Sequence, residues 1–120
     1  MNTQSESQVV LFKPVERIDW QSGVALNEKM SQITANVNQL WVIDLAEVNF
    51  MDSSGLLPLV NGLKTARQNG CRLVLCNVQA PVRLVLELTQ LDSVFEIFDS
   101  YEEVVSFANN EPTLTTVGVM

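Results

Sequence analysis

Apolar positions along this chain switch repeatedly between short continuous runs and a helical spacing. Residues 9–12 and 15–18 are apolar-rich runs that predict two short strands, broken at Lys13-Pro14 because proline has no N–H for a ladder. Leu26, Met30, Ile33 and Val37 then recur at helical spacing. They predict an amphipathic helix of about four turns, capped at its start by Asp19 or Ser22 and ended by Asn36 and Asn38. Residues 40–45 follow as a strand apolar enough to be covered on both faces.

A second helical pattern, Leu56, Leu59, Val60, Leu63 and Ala66, runs from about residue 55 to 68 and stops at Asn69-Gly70. Pro58 sets its start: deep inside a helix its ring would clash with Ser54, so the helix begins close to Gly55. Ser53 and Ser54 are thereby left in the turn. Residues 71–78 predict another buried strand. Pro81 opens a third helix with Leu84, Leu88 and Leu91 on one side. Residues 94–98 read as a short strand, and Ser100-Tyr101-Glu102-Glu103 as a capping box for a last helix reaching Ala108. Residues 1–8 are expected to be flexible, and 109–120, which lack periodicity, to form a disordered tail. Strands alternating with helices predict an α/β domain with about four helices packed on a mixed, mostly parallel sheet. The opening pair of strands is expected to form an antiparallel edge. In such sheets the functional crevice lies at the carboxyl ends of the strands, where residues 52–55 and Asp19 fall.

Composition narrows the classes. At 120 residues, 47% hydrophobic and 18% charged, the chain is long and apolar enough for one globular core without staples. A net charge of −7 disfavours nucleic acid and anionic membrane surfaces and favours a basic partner. No apolar run approaches the roughly 18 residues that span a bilayer, and the first residues carry no signal-peptide core, so a soluble, cytoplasmic protein is expected. Cys71 and Cys76 lie on one predicted strand, about 16 Å apart, beyond the ~7 Å reach of a disulfide. They read as reduced core residues. With no histidine and no CxxC, neither a metal nor a cofactor is expected.

The densest chemistry is Phe50-Met51-Asp52-Ser53-Ser54-Gly55-Leu56, at a strand-to-helix junction. There the first N–H groups lack intrahelical partners and the helix dipole presents its positive end. Such a corner suits a phosphate, carried by a ligand or attached to a serine. Serine hydrolysis needs a base, yet the chain has no histidine, and Met51 stands where Gly-x-Ser-x-Gly requires glycine. Lys64 sits about two turns along the helix, pointing away. A phospho-aspartate receiver built on Asp44 lacks an acidic pair on the first strand and a lysine in residues 94–98. A P-loop needs more glycines and a following Gly-Lys-Ser/Thr. The residues alone leave two readings: a passive acceptor at Ser53 or Ser54, or a plain helix cap. Neither makes the chain an enzyme.

In this context the segment resembles the signature of the bacterial anti-sigma-factor antagonists, proteins made of a STAS domain. Glu16-Arg17-Ile18-Asp19 stands where that family has a Gly-Glu-Leu-Asp-like segment. Gly70-Cys71-Arg72-Leu73-Val74-Leu75-Cys76 is similar to the strand after the second helix, and Pro81-Val82-Arg83 through Leu91 to the third-helix stretch. The resemblance covers residues 9–108 and implies a STAS domain over that span. Arg17, Trp20 and Leu57-Pro58 depart from the family's usual residues.

The resemblance implies a phosphorylation switch. The unmodified protein would bind an anti-sigma factor that is also a serine kinase, releasing a sigma factor. The kinase would inactivate it by phosphorylating the serine after the aspartate, and a PP2C-type phosphatase would restore it. Carried onto this chain, the acceptor is Ser53, with Ser54 as fallback. Asp19, Trp20, Asp52, Ser54, Gly55 and Leu57 would form the partner surface, on a monomer or weak dimer. The fold also implies a second reading, a STAS subunit of another assembly, such as a lipid-transport complex or signalling scaffold, docking without phosphorylation.

Overall fold

A computed structural model describes residues 7–33, 39–108 and 114–118. Its strands are β1 (Ser7–Phe12), β2 (Glu16–Ile18), β3 (Gln39–Asp44), β4 (Val48–Met51), β5 (Arg72–Cys76), β6 (Glu96–Phe98) and β7 (Leu114–Gly118). Its helices are α1 (Trp20–Gln32), α2 (Leu56–Gln68), α3 (Ala80–Leu88) and α4 (Tyr101–Ala108). Among the described residues, five strands form one sheet in the order β6-β5-β3-β1-β7, and β2 pairs with β4 separately.

Period-2 alternation divides the strand side chains between two cores. Val10 and Phe12 of β1, Trp41 and Ile43 of β3, and Leu73 and Leu75 of β5 point to one face. There they meet Leu26 and Met30 of α1, Leu59, Leu63 and Ala66 of α2, and Val82 and Leu86 of α3. Val9, Leu40, Val42, Val74 and Cys76 point to the other face, under Val104 and Ala108 of α4. Burial on both sides is why β3 is apolar almost throughout.

The α/β architecture matches the expectation, but the N-terminal edge does not. Every strand pairing among the described residues is parallel, so the expected antiparallel edge is absent there. Strand β2 does not pair with β1. Arg17 N–H donates to the Val15 carbonyl at 2.9 Å, and Glu16 adopts φ 70°. This bend carries β2 away from β1 and into register with β4, a strand that periodicity did not signal.

Three further differences bear on packing. Helix α1 ends at Gln32 and Ile33 is already extended, so the helix is shorter than expected; Asn36, Val37 and Asn38 lie outside the described residues. Helix α3 buries Val82 and Leu86, whereas Leu84 is 54% and Leu88 76% exposed. Of the expected Leu84–Leu88–Leu91 stripe, Leu84 and Leu88 are thus turned off the core, while Leu91, past the end of α3, packs partly buried against it. Residues 114–118, expected within a disordered tail, pair in parallel with β1 over Ser7–Leu11, and β1 itself begins at Ser7.

Candidate functional site

The motif is built by one turn of 3-10 helix, Ser53–Gly55, leading into α2. Asp52 is its N-cap: its Oδ1 accepts from the Ser54 N–H at 3.0 Å and from the Ser54 hydroxyl at 2.5 Å. Ser54 is thereby held on its neighbour. Ser53, also exposed, makes no side-chain hydrogen bond among the described residues. One hydroxyl is tied and the adjacent one is free.

Helix α2 then starts at Leu56, with Pro58 in its first turn, where the missing N–H is not needed for an intrahelical bond. It ends on a Schellman pair: Gly70, at φ 72°, donates to the Arg67 carbonyl at 3.1 Å, and Cys71 to the Ala66 carbonyl at 2.8 Å.

Asp19 caps α1 beside this turn. Its Oδ1 accepts from Ser22 N–H at 3.0 Å while the Ser22 hydroxyl takes the Asp19 N–H at 3.0 Å, a reciprocal box. The Ser22 amide donating to the carboxylate, helped by the Ser22 hydroxyl and the charge of Arg17, holds the Asp19 pKa below its ordinary value. Two contacts bring this cap to the motif. Asp52 N–H donates to the Ile18 carbonyl at 3.2 Å. A Cβ on Gly23 would lie 3.0 Å from the Pro58 ring and 3.4 Å from the Gly55 carbonyl oxygen, so the first turns of α1 and α2 touch.

The structure therefore brings the sequence-selected residues together. Asp19 and Asp52 are half-buried, Ser53 and Ser54 exposed, and Gly55 buried beneath them. Trp20 is 55% and Leu57 56% exposed, each near the start of its helix. Leu57 thus faces outward and lies outside the core. Sequence reasoning missed two neighbours. Phe50, 45% exposed, stands opposite Arg17 in the β2–β4 register, with the Arg17 guanidinium carbon 5.4 Å from its ring centre. Val15 is 56% exposed at the entry to β2. The alternation of buried Ile18 and Met51 with exposed Arg17 and Phe50 was the available signal.

The surface combines exposed apolar side chains, Trp20, Phe50 and Leu57, with the carboxylates of Asp19 and Asp52 and the guanidinium of Arg17. The described residues contain no group of His, Cys, Asp or Glu able to hold a metal, and no helix among them is long and apolar enough to cross a membrane. Its chemical groups are apolar side chains, two half-buried carboxylates, the Arg17 guanidinium and the exposed Ser53 hydroxyl.

Comparison with known proteins identifies the family and the fold. The family model described as "STAS domain" matches residues 1–104. An anti-sigma F factor antagonist of Paenibacillus polymyxa is 34% identical over 59 residues, 49% of this chain and 50% of that protein. An anti-sigma-B factor antagonist of Listeria monocytogenes is 40% identical over 55 residues, 46% of this chain and 48% of that protein. In these alignments the chain spans about half the length of the curated relatives it matches. Among solved structures, a sulfate transporter family protein from Wolinella succinogenes superimposes with a TM-score of 0.76 at 14% identity, covering 85% of each chain. That last likeness is one of fold.

Proposed function

The chain belongs to the STAS domain family, and on that premise we propose that it is a phosphorylation-controlled antagonist of an anti-sigma factor. The unmodified protein docks an anti-sigma factor that is also a serine kinase, through Asp19, Trp20, Asp52, Ser54, Gly55 and Leu57, and so frees a sigma factor. The kinase ends the interaction by phosphorylating Ser53, and a PP2C-type phosphatase restores it. The protein acts by binding, as a cytoplasmic monomer or weak dimer, and the chemistry belongs to its partners.

The observation that carries this reading is the contrast between the two serines. Ser54 Oγ is engaged by Asp52, while Ser53 Oγ is exposed and unengaged among the described residues. In the transfer, Ser53 Oγ attacks the γ-phosphorus of ATP, the bond to the leaving ADP oxygen breaks, and the kinase's own base takes the hydroxyl proton. A free, outward hydroxyl on a capped turn suits a visiting active site. The names of the relatives, antagonists of anti-sigma factors, support the partner class.

Incubation with ATP and the cognate anti-sigma kinase, followed by peptide mapping, tests the proposal. One phosphoryl group should appear on Ser53 in the wild type and in Ser54→Ala, and none in Ser53→Ala. Label confined to another residue, or binding of the kinase with no transfer, would overturn the switch; the second outcome favours docking without phosphorylation.

A further inference from the structure

Resting on the assignment of Ser53 as acceptor, we propose that Arg17 is the internal receptor for the phosphate. The guanidinium lies on the Phe50 ring in the unmodified protein and transfers to the phosphoserine once the group is in place.

The β2–β4 pairing sets the geometry. Arg17 lies opposite Phe50 and Ile18 opposite Met51, and the Asp52 N–H to Ile18 carbonyl bond extends the pairing to the edge of the motif. Ser53 follows Phe50 by three positions but lies past the end of the strand at Met51, and Arg17 and Ser53 are each one residue from the Ile18–Asp52 bond, which leaves a short gap between them. An arginine and a phosphoserine reaching toward each other close that gap. Both are open to solvent: Arg17, Phe50 and Ser53 are exposed, while Ile18 and Met51 are buried. The influence of the Arg17 charge on the Asp19 carboxyl places the guanidinium's field over the same corner.

The other cations are either paired or placed on the helices. Of the seven lysines and arginines, Lys13 pairs with Glu47 at 3.4 Å and Arg72 with Glu96. Lys29 and Arg67 lie in the last turns of α1 and α2, Lys64 is well along α2, and Arg83 is on α3. Arg17 is the cation that the β2–β4 register sets beside the motif.

The exchange has a clear direction. An exposed guanidinium on a phenyl face is weakly held. A guanidinium offered a dianionic phosphate forms a bidentate, charge-assisted pair. Modification would then do more than add charge: it would uncover Phe50, withdraw the positive group from the docking face and fix the phosphate in one orientation.

The test separates this inference from the functional reading. Phosphoserine is installed at position 53 during synthesis, so no kinase is needed, and phosphorus NMR follows its second ionisation. Asp19 and Asp52 face the phosphate and raise its pKa in every variant, so the difference between variants isolates Arg17. Replacing Arg17 in the R17Q protein should raise the phosphate pKa by about 0.5 unit or more, and R17K should recover part of the shift. In the unsubstituted chain, the Arg17 Nε–H resonance should move when residue 53 carries phosphate. Equal phosphate pKa values for the Arg17 and R17Q proteins, or an unmoved Nε–H resonance, would overturn the pairing. Failure of a kinase to modify Ser53 would sink the functional reading and leave this measurement intact.

Discussion

Gly55 lies directly against Ile18: a Cβ on the glycine would stand 2.6 Å from the Ile18 carbonyl oxygen and 2.7 Å from its Cγ2. The same carbonyl accepts the Asp52 N–H. The serine turn is therefore seated on β2 by backbone contact, and the residue beneath it has no room for a side chain.

Gly55→Ala should lower stability by about 1–3 kcal/mol, the range for overpacking a tight site. The φ of Gly55, −84°, is ordinary, so the loss comes from the clash and not from backbone strain. Urea denaturation checks it, and an unchanged midpoint would contradict the packing described.

The orientation of α3 makes a paired prediction. Leu86 is 0% and Leu88 76% exposed. Leu86→Ala should destabilise by about 2–5 kcal/mol, the cost of emptying a core position. Leu88→Ala should stay within about 0.5 kcal/mol of wild type. Equal losses would restore the leucine stripe expected from sequence.

Alkaline pH should expose Cys76. Burial, then the neighbouring Asp44 and Glu102 charges, push its thiol up to about 12 from 9.0. A raised folded-state pKa means that the native protein keeps a proton that the unfolded chain releases. The stabilisation is complete below the unfolded thiol's pKa and is lost as pH rises toward the folded value. Between about pH 9 and 12 the wild type should lose up to about 1.4 kcal/mol per pH unit more than Cys76→Ala, whose core lacks that proton. Chemical denaturation at stepped pH measures the difference, and parallel curves would count against it.

Ser53→Asp should abolish docking without unfolding the domain. The added carboxylate joins Asp52 on an exposed turn, so the melting temperature should stay near wild type. Forcing an interface to desolvate that charge costs roughly 2–5 kcal/mol, or about thirty- to several-thousand-fold in affinity. Calorimetric titration with the anti-sigma kinase reads this out; equal affinities would rule out the electrostatic switch.

Much of the fold was legible because local rules and tertiary packing agree. Strands β3 and β5 are buried on both faces, so their apolar runs were unambiguous. Asn69-Gly70 and Pro58 mark the ends of α2 through constraints of the backbone itself. The serine turn could be placed for the same reason. Choosing between its two hydroxyls could not be done from residue types, since adjacent serines are chemically alike until Asp52 is seen to hold one of them.

The sequence by itself determined the alternation of strands and helices, the limits of α2 and the position of the Asp52–Ser53–Ser54–Gly55 corner, all set by forces acting over a few residues. Tertiary structure alone decided the partners. It sent β2 to β4 instead of β1, turned Val82 and Leu86 inward in place of Leu84 and Leu88, laid residues 114–118 beside β1, and set Arg17 on Phe50 next to the motif. Each of these depends on which distant surface is available to cover an apolar face or pair a strand. That information resides in the assembled chain and not in the spacing of its neighbours.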